Sequence, residues 1–129
     1  MSQWTHVIAA LRAQGIDHSM FPQINWQNRM SKNVPHGSEG PLQIVVNVSR
    51  DFGRVDTVVT VWGDLRDYDD VAEIMTYFTS IIPTPQQGAF IGEGVVSIRV
   101  EGYGDDPERD YHYRFEGDGL GGEWVSIRR

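Results

Sequence analysis

The sequence predicts an α+β fold, an antiparallel sheet with two helices in the order helix–three strands–helix–three strands, two layers deep. Two valine-rich stretches, 42–48 and 55–61, repeat with period two on either side of a short turn. Between 67 and 83 the apolar residues switch to helical spacing, and beyond Val96 the period returns to two with glycine-rich connections. Runs of strands separated by single helices, rather than strict alternation, mark α+β. At 129 residues the chain reads as one domain covering 1–129. A chain of this size can bury roughly two-thirds of the surface its unfolded form exposes.

Ser2 caps an expected first helix in which Trp4, Val7, Ile8 and Leu11 share one stripe and Gly15 is the stop. Met20, Pro22, Ile24, Trp26 and Met30 then alternate with polar neighbours as a strand, with Pro22 fitting its beginning. Ser31–Pro41, with Pro35, Gly37, Gly40 and Pro41, reads as a loop. Leu42, Ile44, Val46 and Val48 form one strand face, and Val55, Thr57, Val59 and Val61 return after the turn 50–54. Val45 and Val58 imply that the other face is partly covered too, which places this hairpin centrally in its sheet. Asp67 opens the second helix and Pro83 ends it, with Val71, Ile74, Met75, Phe78 and Ile82 on one stripe. The last three strands carry Val96, Ile98 and Val100, then Tyr111, Tyr113 and Phe115, then Val125 and Ile127 with Trp124 on the reverse face. Short strands joined by the connections 102–110 and 117–122, both rich in glycine and acid, read as an antiparallel meander.

The formal charge of −7 is concentrated. Residues 1–63 balance to +1, whereas 64–73 hold five acids against Arg66 and 101–123 hold eight acids against Arg109 and Arg114. Such a field steers basic partners and repels nucleic acid. The absence of cysteine removes disulfides, thiolate metal sites and a Cys nucleophile, and fits a cytoplasmic location. The longest apolar run near the start, Val7–Leu11, is too short for a membrane span, so no membrane partner is expected.

Catalytic and cofactor motifs do not appear. Gly117, Gly119 and Gly122 have dinucleotide-loop spacing, but the seven residues after Gly122 read as a strand instead of a helix, so no cofactor is expected. Asp106, Glu108 and Asp110 alternate like a calcium loop, yet Tyr111 stands where its glycine belongs and Gly117 where its glutamate belongs. The segment reads as a solvated acidic loop, with a loose cation site from Asp105, Asp106, Asp110 and Asp118 as the lesser alternative. His6, His18, His36 and His112 lack metal-ligand spacing, and His112 fits a surface cross-strand pair with its polar neighbours.

Element order, size and acidity through roughly residue 116 resemble the small chaperones of type III secretion systems. That likeness implies a dimeric cytoplasmic binder of an exported protein. Those chaperones end in a helix, whereas Gly117–Arg129 reads as a turn and a strand, so their helix-mediated dimer is not implied. The concentrated acid also resembles bacterial toxin immunity proteins as a class, which implies occlusion of a basic site on a cognate toxin.

The leading expectation is therefore a non-enzymatic protein-binding module of the immunity type, monomer or homodimer, with a basic protein partner. Its docking residues would be the helix ridge Asp69, Glu73 and Thr76 and the loop acids Asp105, Asp106, Glu108 and Asp110. Tyr103, Tyr111 and Trp124 would be the aromatic anchors. The alternatives are a secretion chaperone, a small enzyme or ligand-binding protein with a pocket near Trp26, Trp62, His112 and Arg114, and a phage or assembly structural protein.

Overall fold

The computed structural model describes residues 3–16, 24–118 and 121–127. The described elements are β1 (Trp4–Ile16), α1 (Trp26–Met30), β2 (His36–Gly37), β3 (Gly40–Pro41), β4 (Gln43–Asp51), β5 (Arg54–Arg66), α2 (Val71–Ser80), β6 (Ala89–Val100), β7 (Arg109–Gly117) and β8 (Gly122–Ser126). Six strands form one antiparallel sheet in the order β4-β5-β1-β6-β7-β8, and β2 and β3 form a separate short ribbon. The fold is thus α+β and mostly sheet, with two helices.

The opening segment is a strand, not the helix its spacing predicts. β1 is central, paired with β5 along its whole length and with β6 from Thr5 to Gly15. Thr5, Val7, Ala9, Leu11 and Ala13 are buried on one face, while His6, Ile8, Ala10 and Arg12 lie on the other. Trp4, Val7, Ile8 and Leu11 fit helical spacing, but ladders on both sides hold the segment extended, with buried and exposed residues alternating along it.

The predicted strand over Met20–Met30 is also corrected. Its Met20–Gln23 portion lies outside the described residues, and Trp26–Met30 is the short helix α1. The Asn25 side chain caps α1 by accepting the Asn28 N–H at 3.0 Å. Trp26 and Met30, four residues apart, therefore fall on one buried face.

The hairpin β4–β5 forms as expected, but only β5 is internal; β4 is an edge strand. α2 begins at Val71, with the Asp70 carboxylate accepting the Glu73 N–H, so its start falls later than Asp67. Asp67 instead takes φ 57° in the turn that leaves β5. β6 starts at Ala89, earlier than the sequence pattern indicates, because Gly92 and Gly94 interrupt the alternation. The meander β6–β7–β8 pairs as predicted, but β8 ends at Ser126, short of Ile127, and it is Trp124 that faces the core.

Both helices contribute to the core beneath one sheet face. Trp26, Met30, Ile74, Tyr77 and Phe78 join Val7, Leu11, Val59, Val61, Val96, Ile98 and Phe115 in a single buried cluster. The Tyr77 hydroxyl donates to the Met30 carbonyl at 2.6 Å and so ties the helices together. Arg29 donates to the Ile81 and Ile82 carbonyls just past α2. These bonds satisfy polar groups that burial would otherwise strand.

Candidate functional site

Among the described residues, no element covers the face of the sheet away from the helices. Cross-strand register aligns its side chains in rows. The middle row runs Gln43, Trp62, Ile8, Ser97, His112; one neighbouring row runs Val45, Thr60, Ala10, Val95, Arg114, Val125. The row on the other side is charged throughout, Asp64, His6, Arg99, Asp110. Ile8 is 68% exposed, Val95 55%, Val45 43% and Trp62 40%. A solvated face of an antiparallel sheet ordinarily alternates to polar residues. Here several large apolar groups remain in water beside a charged margin.

The charged margin arises because β1 begins where β5 and β6 end. Gln3 accepts the N–H groups of Asp67 (2.6 Å) and Tyr68 (3.3 Å) at its carbonyl, and its side-chain amide donates to the Glu101 carbonyl at 2.5 Å. The Thr5 hydroxyl donates to the Tyr68 carbonyl, and the Glu101 N–H donates to the Trp4 carbonyl at 3.0 Å. Residues 64–73 and the start of 101–123 are thereby brought to the same end of the sheet.

They meet at one imidazole. His6 Nδ1 lies 2.5 Å from Asp64 Oδ1 and Nε2 lies 2.7 Å from Glu101 Oε2. Ionised carboxylates only accept, so both ring nitrogens must donate, and the ring that fits this geometry is the imidazolium. The hydrogen bond to Asp64 raises the His6 pKa most; burial opposes it, and Glu101 adds a further rise.

Among the sequence-predicted site residues, the loop acids divide. Glu108 and Asp110 both contact Arg99 Nε, at 2.9 and 3.2 Å, and so are partly neutralised. Asp105 and Asp106 are exposed in the turn closed by the Tyr103–Asp106 bridge, and they form no salt bridge among the described residues. Tyr103 is 43% exposed on that turn, as an anchor requires. Asp69 is exposed just before α2, and Glu73 accepts the Tyr68 hydroxyl at 2.8 Å. Thr76 is exposed further along α2.

Two expected anchors sit elsewhere. Tyr111 packs, half-buried, against the core, and it lies opposite Ile98. Trp124 stands on the helix side, edge-to-face with Phe78 at 5.8 Å and Phe115 at 5.3 Å, and its indole N–H donates to the Phe78 carbonyl at 3.0 Å. Its ring lies over Gly94, where an added Cβ would come within 2.7 Å of it. Ile8, Trp62 and Val95 supply the exposed apolar surface instead. In the sequence Ile8 fits the helical stripe and Trp62 the expected pocket, so neither pointed to this face.

The pocket expected near Trp26, Trp62, His112 and Arg114 is not formed by those residues. Trp26 is buried on the helix side, whereas the other three lie on the open face. Ser97 Oγ and His112 Nδ1 are 3.1 Å apart as a cross-strand pair, as the polar alternation suggested. No set of three or more His, Asp or Glu able to hold a metal ion occurs among the described residues, so the loose cation site is not assembled there. No described helix is long and apolar enough to cross a membrane. No protein-family model, curated protein or solved structure matches the chain.

Proposed function

We propose that this chain is a non-enzymatic protein-binding module that docks a basic partner against the acidic end of its open sheet face. The observation that carries the reading is the adjacency of two unlike surfaces. An exposed apolar patch of Ile8, Trp62 and Val95 lies directly beside the margin where both acidic segments meet at His6. The patch supplies desolvation energy, and the acids supply steering and orientation. Exposed Asp69, Asp105 and Asp106 extend the negative field beyond the groups that His6 and Arg99 neutralise. An inhibitor of the immunity type, which covers a basic cleft on a cognate toxin, uses this combination: electrostatic attraction brings it in and an apolar contact holds it.

The test is a capture from native lysate with tagged wild type, with Asp69→Lys/Glu73→Lys, with Asp105→Lys/Asp106→Lys, and with Ile8→Ser. The reading expects one basic protein that wild type retains at low salt and both charge reversals lose. Retention of the same protein by both reversed variants at low salt would rule the reading out.

A further inference from the structure

The two edges of the sheet are unequal. β8 has five residues, whereas β4 has nine. β4 contains no Lys or Pro, its charges Arg50 and Asp51 stand only at the turn end, and its register with β5 runs from Gln43 to Asp51 without a bulge. Natural edges are usually blunted by just those devices. From this unprotected edge we infer that β4 pairs antiparallel with β4 of a second copy of this chain, extending the two sheets into one. The inference concerns a surface separate from the acidic end and does not depend on the function proposed there.

Hairpin geometry decides which groups are free. The loop is Phe52-Gly53, with φ 48° and 77°, so both central residues are left-handed as in a type I′ turn. Asp51 and Arg54 close that turn as a hydrogen-bonded pair. Alternation makes Ser49, Asn47, Val45 and Gln43 the other residues bonded to β5. Ile44, Val46, Val48 and Arg50 therefore direct both backbone groups outward, and none of these groups has a partner among the described residues.

A two-fold axis at Asn47 uses all four. Val46 falls opposite Val48 of the second copy and Ile44 opposite Arg50, each as a doubly hydrogen-bonded pair, with the symmetric equivalents completing the ladder. No like charges oppose: Arg50 meets Ile44, and Asp51 meets Gln43. Val48, 49% exposed in one copy, packs against a valine.

The turn supplies a second, independent observation. Type I′ turns favour Asn-Gly, and a bulky residue at positive φ is disfavoured, yet the fully exposed residue here is Phe52. The Asn47-centred register brings Phe52 opposite Leu42 of the second copy and diagonal to its exposed Pro41, which gives that ring an apolar neighbour although Leu42 itself is buried.

Sedimentation equilibrium over a wide concentration range tests this with two variants that spare the fold. Val48→Pro removes one outward N–H and leaves the β5 ladder intact. Phe52→Asn gives the turn its favoured residue and deletes the ring. Wild type is expected to sediment as a concentration-dependent dimer, with loss of the dimer in Val48→Pro and a weakened dimer in Phe52→Asn. Both variants should keep the wild-type circular dichroism, and Phe52→Asn should melt no lower than wild type. A wild type that stays monomeric overturns the inference, as does a dimer that survives Val48→Pro. A monomer that instead adds an extended strand of another protein to β4 also overturns it.

Discussion

The two faces of the sheet carry similar apolar residues but have different physical roles. On the helix side Val7, Leu11, Val59, Val96 and Ile98 are buried beneath Phe78, Ile74 and Met30. On the other side Ile8, Trp62, Val95 and Val45 occupy the alternate positions of the same strands and remain in water. A side chain's contribution to folding is set by what covers it, so equal hydrophobicity on the two faces does not mean equal stability. In the function proposed above, the uncovered face is the one that docks the partner.

The sharpest break between the faces comes from removing one large residue from each. Phe78→Ala should cost about 3–5 kcal/mol in urea unfolding, because it empties a fully buried ring site between helix and sheet. Ile8→Ser should shift stability by no more than about 0.5 kcal/mol, the usual range for a surface change. Comparable losses at both positions would mean that the open face is covered after all.

Gly94→Ala tests the helix side on a finer scale. The new methyl would meet the Trp124 ring, itself held by Phe78 and Phe115. Overpacking of this kind costs about 1–3 kcal/mol. Trp124 fluorescence should shift with the loss; an unchanged melting temperature and emission would place that indole elsewhere.

The charged margin should respond to pH. His6 is ordinarily half-protonated near 6.5, and its value is raised in the fold. Its contribution to stability is therefore complete below 6.5 and is lost as pH rises through the higher folded value. The groups around the ring are Asp64 from β5, Arg99 from β6, Glu101 just beyond it, and Asp110 from β7. The difference in urea midpoint between wild type and His6→Gln should shrink across that window, and an NMR titration should place His6 above 6.5. A His6 titrating at or below 6.5 contradicts the double ion pair.

The elements legible in the sequence were those whose period was carried by large residues. Valines at 44–48 and 55–61 gave the hairpin, Ile74 and Phe78 gave α2, and Tyr113 and Phe115 gave β7. β1 was misread because Trp4, Val7, Ile8 and Leu11 fall at helical spacing, while the buried positions Ala9 and Ala13 carry too little bulk to show the strand period. α1 was hidden by its brevity, with the Asn25 cap as its one local signal. The acids of the margin were visible from composition, but their meeting was not. It depends on β1 threading between β5 and β6, which brings His6 to both Asp64 and Glu101; no local pattern encodes that long-range pairing. Ile8 fits the helical stripe and Trp62 the expected pocket, so their place on one exposed sheet face follows only from the pairing of β1 with β5 and β6.

The docking role of this face is tested most directly by the association rate of the captured partner measured against ionic strength, for wild type and for Asp105→Lys/Asp106→Lys. Acids that steer a basic partner predict a wild-type rate that falls steeply with salt and a variant rate that is lower and flatter. A wild-type rate that is independent of salt, or one the double reversal leaves unchanged, would contradict the account.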